Sequence, residues 1–377
     1  MGPAGKSALK FCVRAAIGIG LILVLLHKHE IPAVRVLGRM IECPLLVFLA
    51  AWAVDILGRT LCAYRWTRIA ALAGNPVPFG AAWRLYFAGA FFNTCLPSTI
   101  GGDAIRVVGL GRHTGSKSVA FASVFMDRNL GMAALLSLGL LSSLLVPVTL
   151  QATWKWLQPE PMVLPLWLLF IPLIGGYVLA NLILFRSGVY AWFEQLAVRR
   201  LPAKVQGKVA KLHQAIQQYR RPLPGYASVY VLSLVYQASE AAFVWLLAWG
   251  LDVRLPFWVF AGVVTFQAVA GLLPISINNI GVREAIFCAA LLGQAAGLGL
   301  TPDSIKDEAL ALSLLYLAVV IATGLLGGAV YMAAGMTRPS QKEMDEMDAP
   351  EGPGGQAAPE AAPEAGAAAR QSAPVGN

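Results

Sequence analysis

The sequence predicts an all-α polytopic membrane protein. About six full spans are expected, with two inverted-repeat, re-entrant helical hairpins, making about eight membrane segments. Three observations carry this. The chain is 57% hydrophobic and only 13% charged, with a mean hydropathy of +0.65, whereas soluble domains carry about 25% charged residues. Six apolar runs approach or exceed the roughly 20 residues that a spanning helix needs. Two more apolar runs stop short at a proline and share one local pattern. A soluble enzyme, a secreted disulfide scaffold and a disordered chain are excluded. The 10 Trp and 37 Gly suit a bundle with interfacial anchors and close helix contacts.

The full spans are expected at about 11–27, 44–64, 118–146, 162–185, 227–250 and 309–334. Lys6, Lys10 and Arg14 precede the first run as in a signal peptide, but HKHEIPAVR follows with no small-x-small cleavage site, so a retained helix is expected. The broken runs are 83–96, ending in LPSTIGGD, and 257–273, ending in LLPISINNIG. Shorter segments follow each, at about 103–113 and 281–298. A membrane domain over 1–335 thus contains repeats at about 44–146 and 227–334, separated by a basic segment, 186–226. Residues 336–377 form an acidic Ala/Pro/Gly-rich tail with no apolar periodicity, expected to be disordered.

The net charge of +9 is uneven, because the tail carries three basic residues against seven acidic ones. A basic body on so apolar a chain points to membrane orientation rather than to nucleic acid. Segment 186–226 holds Arg186, Arg199, Arg200, Lys204, Lys208, Lys211, Arg220 and Arg221 against Glu194 alone, which places it inside. Arg65 and Arg68 are expected in a cytoplasmic loop after the second span, and TPDSIKDE outside. Both termini are then cytoplasmic, and the assignments agree only if both broken segments return to the side they entered from. Val205, Val209, Leu212 and Ile216 recur at helical spacing opposite Lys204, Lys208 and Lys211. This is either an interfacial helix on anionic headgroups or an ordinary basic loop. Cys12, Cys43, Cys62, Cys95 and Cys288 show no metal spacing and read as packing residues.

The two broken segments match. NTCLPSTIGGDAIR starts at Asn93 and AGLLPISINNIGVRE at Ala270; Pro97 to Arg106 and Pro274 to Arg283 are both nine residues. Each has a hydroxyl-bearing turn (Ser98 and Thr99; Ser276, followed by Asn278) and then glycine (Gly101 and Gly102; Gly281). Opposite sidedness makes them inverted copies, and paired interrupted segments mark a transporter binding site. A break in lipid exposes backbone groups, tolerated where protein or a water-filled cavity covers them. The glycines are expected to leave the N–H groups of the next half-helix open to an anion. Arg106 and Arg283, in those first turns, can each hold a phosphate through two parallel hydrogen bonds.

Asp55 and Arg59 (i,i+4), Asp103, Asp127, Arg128, Glu240 and Glu284 also lie in apolar surroundings. A charge at mid-bilayer costs about 2.5–3.5 kcal/mol even on mild scales, so these groups should face the interior and find partners. Asp55 and Arg59 can pair on one helix face. Asp127 and Arg128 point about 100° apart and cannot satisfy each other. Asn93 reads first as a stabiliser of the break and second as a substrate contact.

The run from Asn93 to Gly131 resembles the signature of the flippase-like transmembrane family, which includes the membrane half of lysylphosphatidylglycerol synthases. Leu-Pro, Gly-Gly-Asp, Arg three residues on, a basic-small loop and an acid–Arg pair occur in order; LLPISINNIGVREAIF is similar to the family's second element. The likeness covers about 10–335. It implies movement of polar lipids between leaflets, typically aminoacylated phospholipids or polyprenyl-phosphate sugars. Two departures stand out: Asp127-Arg128 replaces Glu-Arg, and no aminoacyl-transferase domain follows Tyr331.

The expected function is therefore translocation of a phosphate-bearing lipid in the bacterial plasma membrane, with polar headgroups as cargo and a separate lipid-modifying enzyme as a partner. Arg106 and Arg283 would receive the phosphate in turn, and Asp103, Asp127, Glu240 and Glu284 would balance them or bind a cationic headgroup. No cofactor, metal or nucleic acid is expected, and no Walker A motif supports direct ATP use. The alternatives are an integral-membrane enzyme acting on a lipid phosphate, disfavoured by the lack of clustered carboxylates, and a non-transporting scaffold.

Overall fold

The computed structural model describes residues 20, 23–24, 27, 32–95, 100–145, 149–152, 162–165, 167–196, 203–220, 224–272, 279–297 and 305–336. A short amphipathic helix, α1 (Ala33–Glu42), leads into α2 (Leu45–Leu72), α3 (Phe79–Cys95), α4 (Ile100–Thr114) and α5 (Lys117–Leu145). Two short antiparallel strands follow, β1 (Thr149–Ala152) and β2 (Met162–Pro165), with Thr149 opposite Pro165. Then come α6 (Trp167–Phe185), α7 (Ser187–Leu196), α8 (Ala203–Gln217), α9 (Pro224–Gly250), α10 (Phe257–Ala270), α11 (Val282–Gly297) and α12 (Lys306–Ala333). Helices α2, α5, α9 and α12 are long and apolar enough to cross a membrane; Phe170–Phe185 and α10 are shorter apolar helices.

These bounds correct the sequence reading in places. The span expected from 162 begins as a strand, and its helix starts at Trp167 and contains Pro172. The span expected to end near 64 runs on to Leu72, because Trp66, Ile69 and Ala70 continue its buried face. The segment 11–27 lies almost wholly outside the described residues, as do the tail from 337, Pro97, Pro274, Ser276 and Asn278. The basic stretch is helical over α8. Its Ala215 and Ile216, with Tyr219 just beyond, pack on Ile69, Met126 and Val229, so α8 docks on the bundle.

The order α2–α3–α4–α5 recurs as α9–α10–α11–α12, with comparable lengths in each position. Both α2 and α9 stop at a left-handed residue, Gly74 (φ 79°) and Asp252 (φ 61°). There Asn75 N–H reaches back to Ala70 C=O and Val253 N–H to Ala248 C=O. Each chain then passes through a Pro-Phe pair, Pro78-Phe79 or Pro256-Phe257, into the next helix; proline fixes φ without removing a needed donor at a helix start. Within each half, consecutive helices pack together. Between halves, α2 packs on α9, α3 on α12 and α5 on α10, while α9 touches α5 and α2 touches α12. Exchanging the halves maps this contact pattern onto itself.

Glycines set the closest approaches. A side chain at Gly139 of α5 would meet Phe170 of α6 and Thr265 of α10 at 2.5 Å. One at Gly327 of α12 would fall 2.1 Å from the Phe87 carbonyl of α3. Small residues at such crossings let helix backbones meet where lipid offers no hydrophobic drive. Leu45, Leu46, Leu57, Leu325 and Met332 point outward, as lipid-facing residues would.

Candidate functional site

The first hairpin carries the larger polar cluster. Asn93, near the end of α3, accepts the Gly102 N–H at 2.8 Å, which joins α3 to the start of α4. Gly102 has no room for a side chain: a Cβ would lie 2.2 Å from the Gly89 carbonyl and 2.7 Å from Asn93. Arg106 follows one turn later and is buried. Its guanidinium donates to Asp127 Oδ2 at 2.7 Å and to Asp103 Oδ1 at 3.3 Å. It lies over the rings of Tyr86 and Trp66, 4.3 and 4.4 Å from their centroids.

Asp127 is also held from α2. Arg65 donates Nη2 and Nε to Asp127 Oδ1 at 2.7 and 3.0 Å, and Nη1 to Ser233 Oγ at 3.1 Å. Tyr86 donates its hydroxyl to Asp127 Oδ2 at 3.3 Å. Arg65 was expected in a cytoplasmic loop; it lies buried inside α2 because Asp127 supplies a counter-ion there. Arg68 does stay exposed. Arg128 turns away from Asp127, as helix geometry requires, and forks onto both oxygens of Asp103 at 2.9 and 3.0 Å. Its side chain remains 56% exposed. Arg106 Nε is buried with no hydrogen-bond partner among the described residues. Among the described residues of this cluster, three guanidinium groups face two carboxylates.

The second hairpin is organised differently. Gly281 (φ 86°) precedes α11 and donates its N–H to Glu284 Oε2 at 2.5 Å, the one half of a capping box that a glycine allows, in which the third helical residue reaches back. Glu284 Oε1 accepts from Arg283 Nη2 at 2.5 Å, and Ser313 of α12 bonds both side chains. Arg283 keeps only 1% of its surface exposed and lies 5.3 Å from the centre of the Tyr316 ring. Asn279 ties the hairpin to the Gln267 carbonyl at 3.1 Å. The N–H groups of Gly102 and Gly281, expected open to an anion, are thus both taken by side-chain oxygens. Gly101 lies at the start of α4, half-buried.

A third group lies where α2, α9 and α12 meet. Arg59 Nε donates to Asp55 at 3.0 and 3.1 Å, the predicted i,i+4 pair. Thr323 donates to Asp55 Oδ2 at 2.5 Å and accepts from Trp52 Nε1 at 3.1 Å. Glu240 of α9 is buried and faces Asp55, Arg59 and the Tyr236 hydroxyl; its Oε1 has no partner among the described residues. The Tyr236 ring lies 5.9 Å from Arg65, so this group adjoins the first cluster.

Sequence reasoning missed Arg65, Trp66, Tyr86, Ser233, Tyr236 and Thr323. None of these gave a local signal: the carboxylate that lets Arg65 lie buried is 62 positions away, and the tyrosines and hydroxyls stand in ordinary apolar helix. Outside the spans, burial pushes the His213 ring of α8 below its usual value against the opposing pull of Glu194. Among the described residues no group of three or more His, Cys, Asp or Glu is placed to hold a metal. Against curated proteins the chain finds no significant match. The sequence model described as the lysylphosphatidylglycerol synthase TM region matches residues 11–328, most of the chain, and the chain belongs to that family of membrane proteins.

Proposed function

We propose that this protein translocates a polar, phosphate-bearing lipid across the bilayer, its headgroup passing between two inverted re-entrant hairpins while the acyl chains stay in lipid. The single observation that carries the reading is the cationic excess, among the described residues, behind the first hairpin: Arg65, Arg106 and Arg128 face Asp103 and Asp127, with one buried Arg106 donor left without a partner among them. A phosphate oxygen can take that donor, and Arg128 can exchange Asp103 for a second oxygen without leaving a charge unpaired. The self-mapping contacts of the two halves support an inverted repeat, and the basic segment 186–226 supports cytoplasmic termini. The cargo class is an aminoacyl-phospholipid or a polyprenyl-phosphate sugar in a bacterial plasma membrane. A separate enzyme supplies it, and this chain performs no bond chemistry.

Leaflet exchange in proteoliposomes tests this, with fluorescent phosphatidylglycerol, its aminoacyl ester and a polyprenyl-phosphate sugar as probes. Wild type is expected to move at least one. Arg128→Ala and Arg106→Ala should slow it tenfold or more, matching the loss of a charged hydrogen bond worth about 1.5–3 kcal/mol. Arg283→Ala tests the second hairpin alongside them. Wild-type vesicles that move no probe, or variants at wild-type rate, overturn the proposal; conversion of a probe to a new product replaces it with an enzyme.

A further inference from the structure

Among the described residues, the group at the α2–α9–α12 junction has one carboxyl more than its cation balances. Arg59 serves Asp55, which also accepts from Thr323, so Asp55 is fully engaged. Glu240 sits beside this pair with 8% of its surface exposed and a buried oxygen that nothing contacts by hydrogen bond among the described residues. An ionised carboxylate left so placed costs several kcal/mol. We propose that Asp55 and Glu240 form a proton-binding pair, holding one exchangeable proton through which a pH gradient drives lipid movement. The coupling rests on the translocation reading above; the proton site does not.

The neighbours make a proton the fitting ligand. Arg59, Cys62 and Asp55 face the site from α2, Tyr236 from α9 itself and Tyr316 from α12. Helix α10 brings no titratable side chain, and on α5 Asp127 is engaged by Arg65 and Arg106. A metal cation would need several oxygen ligands, and a guanidinium already occupies the Asp55 face. A proton needs one lone pair, which Glu240 Oε1 offers. The step is balanced: Glu240 takes a proton from water on one side and yields it on the other, with no other bond made or broken. The Arg59 side chain keeps 19% exposure, while Asp55 keeps none.

Contacts run from the site to the first hairpin. Thr323, bonded to Asp55, precedes Gly324, where a Cβ would lie 2.6 Å from Thr94 Oγ1. Thr94 is next to Asn93, which holds the start of α4. A change at Asp55 therefore reaches the helix that carries Arg106 through directly packed groups.

Two measurements test the pair. In proteoliposomes with fluorescent phosphatidylglycerol, a one-unit pH gradient should shift the steady-state leaflet ratio by up to tenfold in wild type, the limit for one proton per lipid. Glu240→Gln should return the ratio to its gradient-free value. Infrared difference spectra of wild type against Glu240→Gln should show a protonated carboxyl stretch that titrates with pH and is absent from the variant. A wild-type ratio unmoved by the gradient, a Glu240→Gln ratio that still responds, or a sodium gradient acting in place of protons overturns the coupling. If wild type moves no lipid, the translocation reading fails and the infrared band alone decides the proton site: a titrating band lost in Glu240→Gln upholds it, and its absence removes it.

Discussion

Asp127 is where three elements lock. It accepts from Arg65 on α2, Arg106 on α4 and Tyr86 on α3, all within the fold's interior. Asp127→Asn removes the charge that two buried guanidinium groups share and is expected to destabilise by about 3–5 kcal/mol, the cost of breaking a buried pair. Asp103→Asn should cost less, about 1 kcal/mol, because its forked partner Arg128 is half in the open and its second partner, Arg106, stands farther off at 3.3 Å and keeps Asp127. Thermal unfolding of the two variants in detergent checks the contrast, and equal losses would contradict it. At this scale the sequence was partly legible. The i,i+4 spacing of Asp55 and Arg59 and the divergence of Asp127 from Arg128 follow from helix geometry alone. Arg65 did not, because its burial depends on a carboxylate 62 positions away.

The long spans α2, α5, α9 and α12 followed from apolar run length; the crossings did not. Gly139 and Gly327 look like ordinary membrane glycines in the sequence, yet each marks a contact between halves or neighbours with no space for a methyl group. Gly327→Ala puts a carbon against the Phe87 backbone, which cannot swing aside, whereas at Gly139 the first obstacles are side chains. Overpacking typically costs about 1–3 kcal/mol, so Gly327→Ala should lie at the top of that range and Gly139→Ala lower. Gly175→Ala, with nothing within 4 Å, should be neutral or slightly stabilising. Unfolding temperatures for the three variants give the order directly. The strands β1 and β2 escaped the sequence reading because a short apolar run beside a span carries no periodicity that tells strand from helix.

The whole molecule repeats a four-helix plan, but its charges do not repeat. Arg106 lies in a cationic cluster with room at Arg128, while Arg283 is closed onto Glu284 and Ser313. The matched Arg spacings drew attention to both segments, but the unequal surroundings of the two arginines rest on side chains outside the motif. Each half supplies complementary surfaces to the other, α2 to α9, α3 to α12 and α5 to α10, so two separate pieces are expected to assemble. Two co-expressed polypeptides, severed between α7 and α8 where no described helix is cut, should find each other and co-purify as a stoichiometric complex. A tag on one piece that recovers it alone would show that the halves need their tether.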